Sequence, residues 1–138
     1  MKYDDLRALL KSNGASLTKP RKMVFDLLLN QDPQTIQQLL KRADGQVDRA
    51  TVYRTVELFE SVGVVNRLNI GWKYKLELSD IFSGHHHHFH CTSCNKTYEL
   101  AGNSMLETMI DSIAAREGYA PRGHQLEISG LCSNCQGL

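Results

Sequence analysis

The run GHHHHFHCTSC, residues 84–94, sets five of the chain's six histidines beside two cysteines. Imidazoles and thiols are the side chains that hold transition metals. Two thiol pairs occur, Cys91-x-x-Cys94 and Cys132-x-x-Cys135. Each pair can place two thiolates on one tight turn, which is half of a tetrahedral Zn²⁺ site. Asn95, just after the first pair, tolerates the left-handed backbone such turns use. Structural zinc is the expectation, with thiol–disulfide chemistry as the alternative. The four cysteines carry no secretory context, because MKYDDLRALLKS is amphipathic rather than a leader pattern. A cytoplasmic setting is therefore expected, and no apolar run approaches the ~20 residues of a membrane span.

The histidines need a strand to sort them. In extended chain, alternate side chains point to opposite sides. His86, His88 and His90 then share one face, and His85 and His87 the other. Carboxylates at Glu77, Glu99 and Glu107, and His124 further on, could complete two separate sites. Mixed His/Glu ligation suits Zn²⁺, Fe²⁺, Mn²⁺ or Co²⁺. A solvated polar tract is the alternative for the run as a whole. His90 stands where an apolar strand residue would be ordinary, so packing or a hydrogen bond is expected there. Glu107 also fits a capping box with Ser104.

The elements that must position these groups are legible around them. Tyr3–Lys11 carries Leu6, Leu9 and Leu10, and Gly14 ends the helix. LTKPRKMVFDLLL offers Thr18 as a cap, Pro20 in the first turn and a stripe of Val24, Leu27 and Leu28. TIQQLLKRA has the capping box Thr35–Gln38, with Ile36, Leu39 and Leu40 inward. DRATVYRTVELFESVG is capped by Asp48, buries Val52, Val56 and Phe59, and stops at Gly63. VVNRLNI, a turn at Gly71 and WKYKLEL then read as a β-hairpin. Short helices followed by a hairpin form a winged helix-turn-helix, with the fourth helical segment as the recognition helix. A polar stretch at 79–84 is read as a hinge. Beyond it, strand, strand, helix and strand form a small mixed α/β unit, the helix carrying a stripe of Met105, Met109 and Ile113. The fold class is thus α+β, with domains at 1–78 and 85–138.

Charge divides along the same line. Residues 1–78 carry 13 Lys/Arg against 9 Asp/Glu, while residues 79–138 carry 3 against 6. A mildly basic module that meets an anion is joined to an acidic, metal-rich one. On the fourth helix, Arg49, Tyr53, Arg54 and Glu57 lie opposite the core face. A guanidinium can bond guanine or phosphate, and a tyrosine ring can pack on a thymine methyl. Arg21, Lys22 and Arg67 are candidates for phosphate contacts. A solvated face of a plain helical domain is the other reading.

LTKPR, RATVYRTVELFESVGVV, HHHHFHCTSC and HQLEISGLCSNC, in this order and spacing, resemble the ferric uptake regulator family over nearly the whole chain. The resemblance implies a homodimeric, metal-responsive transcription factor, usually a repressor. Its winged helix would bind a palindromic operator in double-stranded DNA, and its C-terminal domain would dimerise and sense metal. It implies DNA contact by Tyr53 and Arg54, and structural Zn²⁺ at Cys91, Cys94, Cys132 and Cys135. It further implies a regulatory divalent metal (Fe²⁺, Mn²⁺ or Zn²⁺) at His86, His88 and Glu99, joined by Glu77 if SDIFSG holds a two-residue insertion. His85, Glu107 and His124 match a further site in the dimerisation domain, with His87 where many members have Asp. One departure stands out: Pro33 occupies the place of a His that often reaches the regulatory metal from the DNA-binding domain. Asp32 and Gln34 are the nearest substitutes. Two other classes compete. A zinc hydrolase lacks support, since no H-E-x-x-H occurs. A metal buffer or chaperone without DNA binding remains conceivable because Pro33 removes the usual link.

Overall fold

The computed structural model describes residues 2–70 and 73–137. The turn expected at Gly71, and Trp72 with it, lie outside the described residues. The chain divides into two compact units, 1–84 and 85–138.

The first unit runs α1 (Lys2–Ser12), α2 (Lys19–Leu28), α3 (Ile36–Ala43), α4 (Arg49–Val62), β1 (Val65–Ile70), β2 (Lys73–Leu78) and α5 (Asp80–Ser83). Local chemistry sets its helix starts as the sequence implies. Thr18 accepts from the Arg21 amide, with Pro20 in the first turn. Thr35 and Gln38 form the reciprocal capping box, at 3.1 and 2.9 Å. Asp48 accepts from both the amide and the hydroxyl of Thr51, and these bonds hold its carboxyl below its ordinary pKa. Gly63 ends α4 at φ +84°, a left-handed conformation that other residues adopt at a cost.

Leu6, Leu10, Val24, Leu39, Val52 and Phe59 are fully buried together. Each such side chain contributes about 1.5–3 kcal/mol. Phe25, outside the expected stripe, is fully buried as well and meets Phe82 edge-on at 5.0 Å. The stretch expected as a polar hinge is therefore mostly the short helix α5, anchored in this core by Phe82. β1 and β2 pair antiparallel from Val65↔Leu78 to Ile70↔Lys73. Gln34 adds an isolated bridge to Leu76. The helices and hairpin form the expected winged helix-turn-helix.

The second unit runs β3 (His87–Cys91), β4 (Thr97–Leu100), α6 (Ser104–Arg116) and β5 (Glu127–Gly130). Its sheet order is β4-β3-β5, with β4 antiparallel and β5 parallel to the central β3. The parallel pair needs a crossover, which α6 and its loops supply. One expectation fails here. Asn103, not Ser104, caps α6, accepting from the amides of Met105 and Leu106. Glu107 is thereby released from capping. The stripe of Met105, Met109 and Ile113 is 79%, 60% and 46% exposed, and α6 buries no residue. Periodicity reported an amphipathic helix correctly, but its own unit offers nothing to cover the apolar face. Among the described residues, no helix is long and apolar enough to cross a membrane.

Replacing Asp48 with Ala removes the α4 cap, and stability should fall by ~1 kcal/mol. Denaturant unfolding followed by helical circular dichroism reads this loss; an unchanged midpoint would deny the cap its role.

Candidate metal centres and the exposed face of α4

The two thiol pairs meet. The sulfurs of Cys91, Cys94, Cys132 and Cys135 all lie within 4.8 Å of one another. Two similar turns present them. The Asn95 amide donates to the Cys91 carbonyl and the Gln136 amide to the Cys132 carbonyl, both at 3.0 Å. Asn95 takes the expected left-handed conformation, φ +63°. Thiolates bonded to Zn²⁺ at about 2.3 Å in a tetrahedron sit roughly 3.8 Å apart, and Cys94 Sγ stands 4.0 Å from Cys132 Sγ. Backbone amides favour charge on two of these sulfurs, whereas at Cys135 the hydrogen bond of Ser93 is outweighed by those of Cys132 and Cys91, which push its thiol up to about 11. The Cys94 amide, then the Cys132 amide, pull Cys91 down to about 6, and the Cys132 thiol is lowered chiefly by the Cys135 amide. Tyr98 is pushed up to about 12, mainly by its hydrogen bond to Cys132. The donor set and spacing fit Zn²⁺.

The histidines sort by strand alternation as expected. On one side, His85, His87, His124 and Glu107 form a second group within 4.8 Å. Glu107 sits at its centre. One carboxylate oxygen lies 2.5 Å from His87 Nε2; the other lies 2.8 Å from His124 Nε2 and 3.2 Å from His85 Nε2. The Nε2 atoms of His85 and His124 are 3.2 Å apart. Nitrogen ligands of a tetrahedral Zn²⁺ lie about 3.3 Å apart, so the spacing again fits a divalent metal. The His87 hydrogen bond, then the charges of His85 and His124, hold the Glu107 carboxyl below its ordinary pKa. His87 is only 2% exposed, and its Nδ1 is buried with no hydrogen-bond partner.

The opposite side holds His86 and His88, with ring centroids 4.7 Å apart. Glu99 faces His88 across the β3–β4 pair, although its side chain is exposed. Glu77 lies buried on β2 of the first unit, opposite Asn66. His90 is buried and pairs through Nδ1 with Thr97 Oγ1 at 3.2 Å, in keeping with a structural role.

In the first unit, α4 turns Val52, Val56 and Phe59 inward. Arg49, Tyr53, Arg54 and Glu57 face out, Tyr53 with 43% exposure. Arg54 is steadied by Thr51 at 3.2 Å. Arg21 bonds the Ser16 carbonyl, which uses part of its guanidinium. Lys22 and Arg67 are less available than the sequence suggested. Lys22 pairs with Asp26; Arg67 pairs with Glu60 and lies over the Tyr74 ring. Sequence reading also missed a polar latch beside Pro33. The Gln34 amide group donates to the Leu27 carbonyl at 3.0 Å and accepts from Arg42 at 2.6 Å. Its backbone bridges Leu76 in both directions. Gln34 is therefore spent on structure and does not replace the missing histidine. Asp32 is exposed.

Among the described residues, the buried side chains of the second unit are His87, His88, His90, Cys91 and Thr97. Among the described residues, every buried hydrophobic side chain except Cys91 belongs to the first unit. Loss of one sulfur should then cost the unit its fold, because structural zinc binding and folding are coupled. Cys91→Ser or Cys132→Ser should lose one equivalent of zinc by mass spectrometry and make 85–138 protease-sensitive, while 1–84 stays resistant. A zinc-free variant with a resistant second unit would contradict this.

Residues 12–129 match the model of the ferric uptake regulator family. The chain is 31% identical to a ferric uptake regulation protein of Campylobacter upsaliensis, over 98% of this chain and 92% of that one. It is similar to the ferric uptake regulator of Francisella tularensis solved with iron, at 27% identity and TM-score 0.72, covering 89% of this chain and 96% of that one. It is equally similar to the regulator of Pseudomonas aeruginosa solved with manganese, at 27% identity and TM-score 0.72, covering 90% and 95%. Matched by the family model over residues 12–129 and by a relative 31% identical over 98% of this chain, the protein is a member of the ferric uptake regulator family of metal-responsive regulators.

Proposed function

We propose that the protein is a cytoplasmic repressor that binds a palindromic operator as a homodimer when a divalent metal is present. One observation carries this reading: the chain that gathers two ligand clusters in its second unit also exposes Arg49, Tyr53 and Arg54 on one face of α4. In a dimer, two such helices would enter successive major grooves about 34 Å apart. Arg49 and Tyr53 would meet base edges, with Arg54 and Arg21 on phosphates. The bare apolar face of α6, Met105, Met109 and Ile113, supports burial against a second copy.

Cys91, Cys94, Cys132 and Cys135 would hold Zn²⁺ permanently. Glu77, His86, His88 and Glu99 would hold the sensed metal, and His85, His87, Glu107 and His124 a further ion. A bound divalent ion supplies positive charge that holds these donors together. Glu77 comes from the first unit and the histidines from the second, so shared ligation would favour one arrangement of the two. With Gln34 occupied elsewhere and Pro33 unable to ligate, Glu77 would carry that link alone on the first unit's side. The iron- and manganese-bound relatives support Fe²⁺ or Mn²⁺ as the sensed metal.

Selection of bound duplexes from random DNA tests the reading, using protein that retains only its Cys-bound zinc and then protein with buffered Fe²⁺, Mn²⁺ or Zn²⁺. One palindrome should be enriched, about 5–150-fold more strongly with one metal, the range of a ~1–3 kcal/mol coupling. Tyr53→Ala with Arg49→Ala should abolish that enrichment while leaving metal content unchanged. Equal enrichment without added metal would remove the sensor role. No enrichment at all would leave a metal buffer.

A further inference from the structure

We infer that Tyr98 is a positioning residue of the four-cysteine site, its phenol donating a hydrogen bond to Cys132 Sγ and so holding the second thiol pair on the metal. This rests on the reading that the four cysteines bind Zn²⁺, and it adds to their site a side chain that is not itself a ligand.

Strand register brings Tyr98 to the sulfurs. It stands opposite Phe89 in the β3–β4 pair. Side chains alternate along β3, so Phe89 and Cys91 share one side of the sheet, and Tyr98 shares it with them. The Cys91 amide donates to the Lys96 carbonyl at 2.9 Å. Tyr98 is therefore the diagonal neighbour of Cys91, a separation that an aromatic side chain can span. On the other flank Cys91 faces Gly130 of β5, and the chain reaches Cys132 two residues later. Tyr98, half-buried, meets the second pair there, and its hydroxyl is hydrogen-bonded to Cys132. Lys96 Nζ lies 5.8 Å from the centre of the Tyr98 ring.

The bond has a chemical consequence. Four thiolates around one dication leave the site with a net negative charge. Each thiolate keeps lone pairs outside its metal bond, and a donor placed on them favours the charged form. Cys91 receives the Cys132 amide at 3.4 Å. Cys132 has the Cys135 amide and the Tyr98 hydroxyl among its partners. Cys132 and Cys135 lie beyond β5, and no strand or helix follows them among the described residues. No later element clamps the second pair against the first, and Tyr98 supplies that clamp from β4. Partners of this kind fix the orientation of a metal ligand and its strength as a donor.

Tyr98→Phe removes the hydroxyl and keeps the ring. The full chain is equilibrated with zinc and a competing chelator, and the Cys-bound ion is followed through its thiolate absorption in the ultraviolet. The variant should hold that ion about 10–100-fold less tightly, the range for outer partners of metal ligands. Refolding around Co²⁺ separates the hydrogen bond from packing. All four cysteines of the chain belong to this site, so the thiolate-to-cobalt charge-transfer band reports it alone. The band should move to lower energy in Tyr98→Phe, because a thiolate without its hydrogen bond gives up an electron more easily. An unshifted band overturns the inference whatever the zinc affinity, and an unchanged affinity overturns it too. If Tyr98→Phe does not fold, the native protein decides. With Cd²⁺ in the site, the Tyr98 hydroxyl proton should exchange slowly with water by NMR, and rapid exchange overturns the inference. If the native protein shows no thiolate-to-cobalt band, the cysteines are not a metal site, and the zinc reading falls together with this one.

Discussion

Four sulfurs converge within 4.8 Å of one another in a second unit whose apolar side chains, among the described residues, leave only Cys91 buried. A stretch as short as 85–138 has a poor ratio of interior to surface, and such units ordinarily need a metal or disulfides. Here the buried positions of β3 are given to His87, His88, His90 and Cys91. The Cys cluster ties the end of β3 to the chain beyond β5, and Glu107 ties α6 to the histidines before and within β3. Imidazole, hydroxyl and thiol side chains take the buried positions that apolar side chains take in the first unit.

The first unit has the opposite construction. Its core is apolar and contiguous, its helices are capped by their own side chains, and its latch at Gln34 joins α3's approach to β2 with no metal involved. That division suits a metal-responsive regulator: one unit has its own apolar core, and the other gathers the candidate ligands.

Features set by neighbours in sequence were legible in advance. Thr18, Thr35 and Asp48 cap because the groups they satisfy lie within one turn. The histidines sorted correctly because strand alternation is a local rule. Features set by tertiary neighbours were not. Asn103 and Ser104 are both good caps at adjacent positions, and the choice of Asn103 moves Glu107 out of capping-box register. The Met105–Met109–Ile113 stripe showed amphipathicity but not the absence of a partner surface within its own chain. Arg67 looked free until β1 brought it to Glu60 and Tyr74. Gln34 looked like a loop amide until the fold supplied Leu27, Arg42 and Leu76.

The central claim is that metal and DNA bind to one coupled system. Linkage requires the effect to be reciprocal. The direct measurement is the protein's affinity for its regulatory metal, by competition with a chelator, with and without saturating operator duplex. The account predicts that operator tightens metal binding by the same factor by which metal tightens operator binding. An identical metal affinity with and without DNA would contradict it.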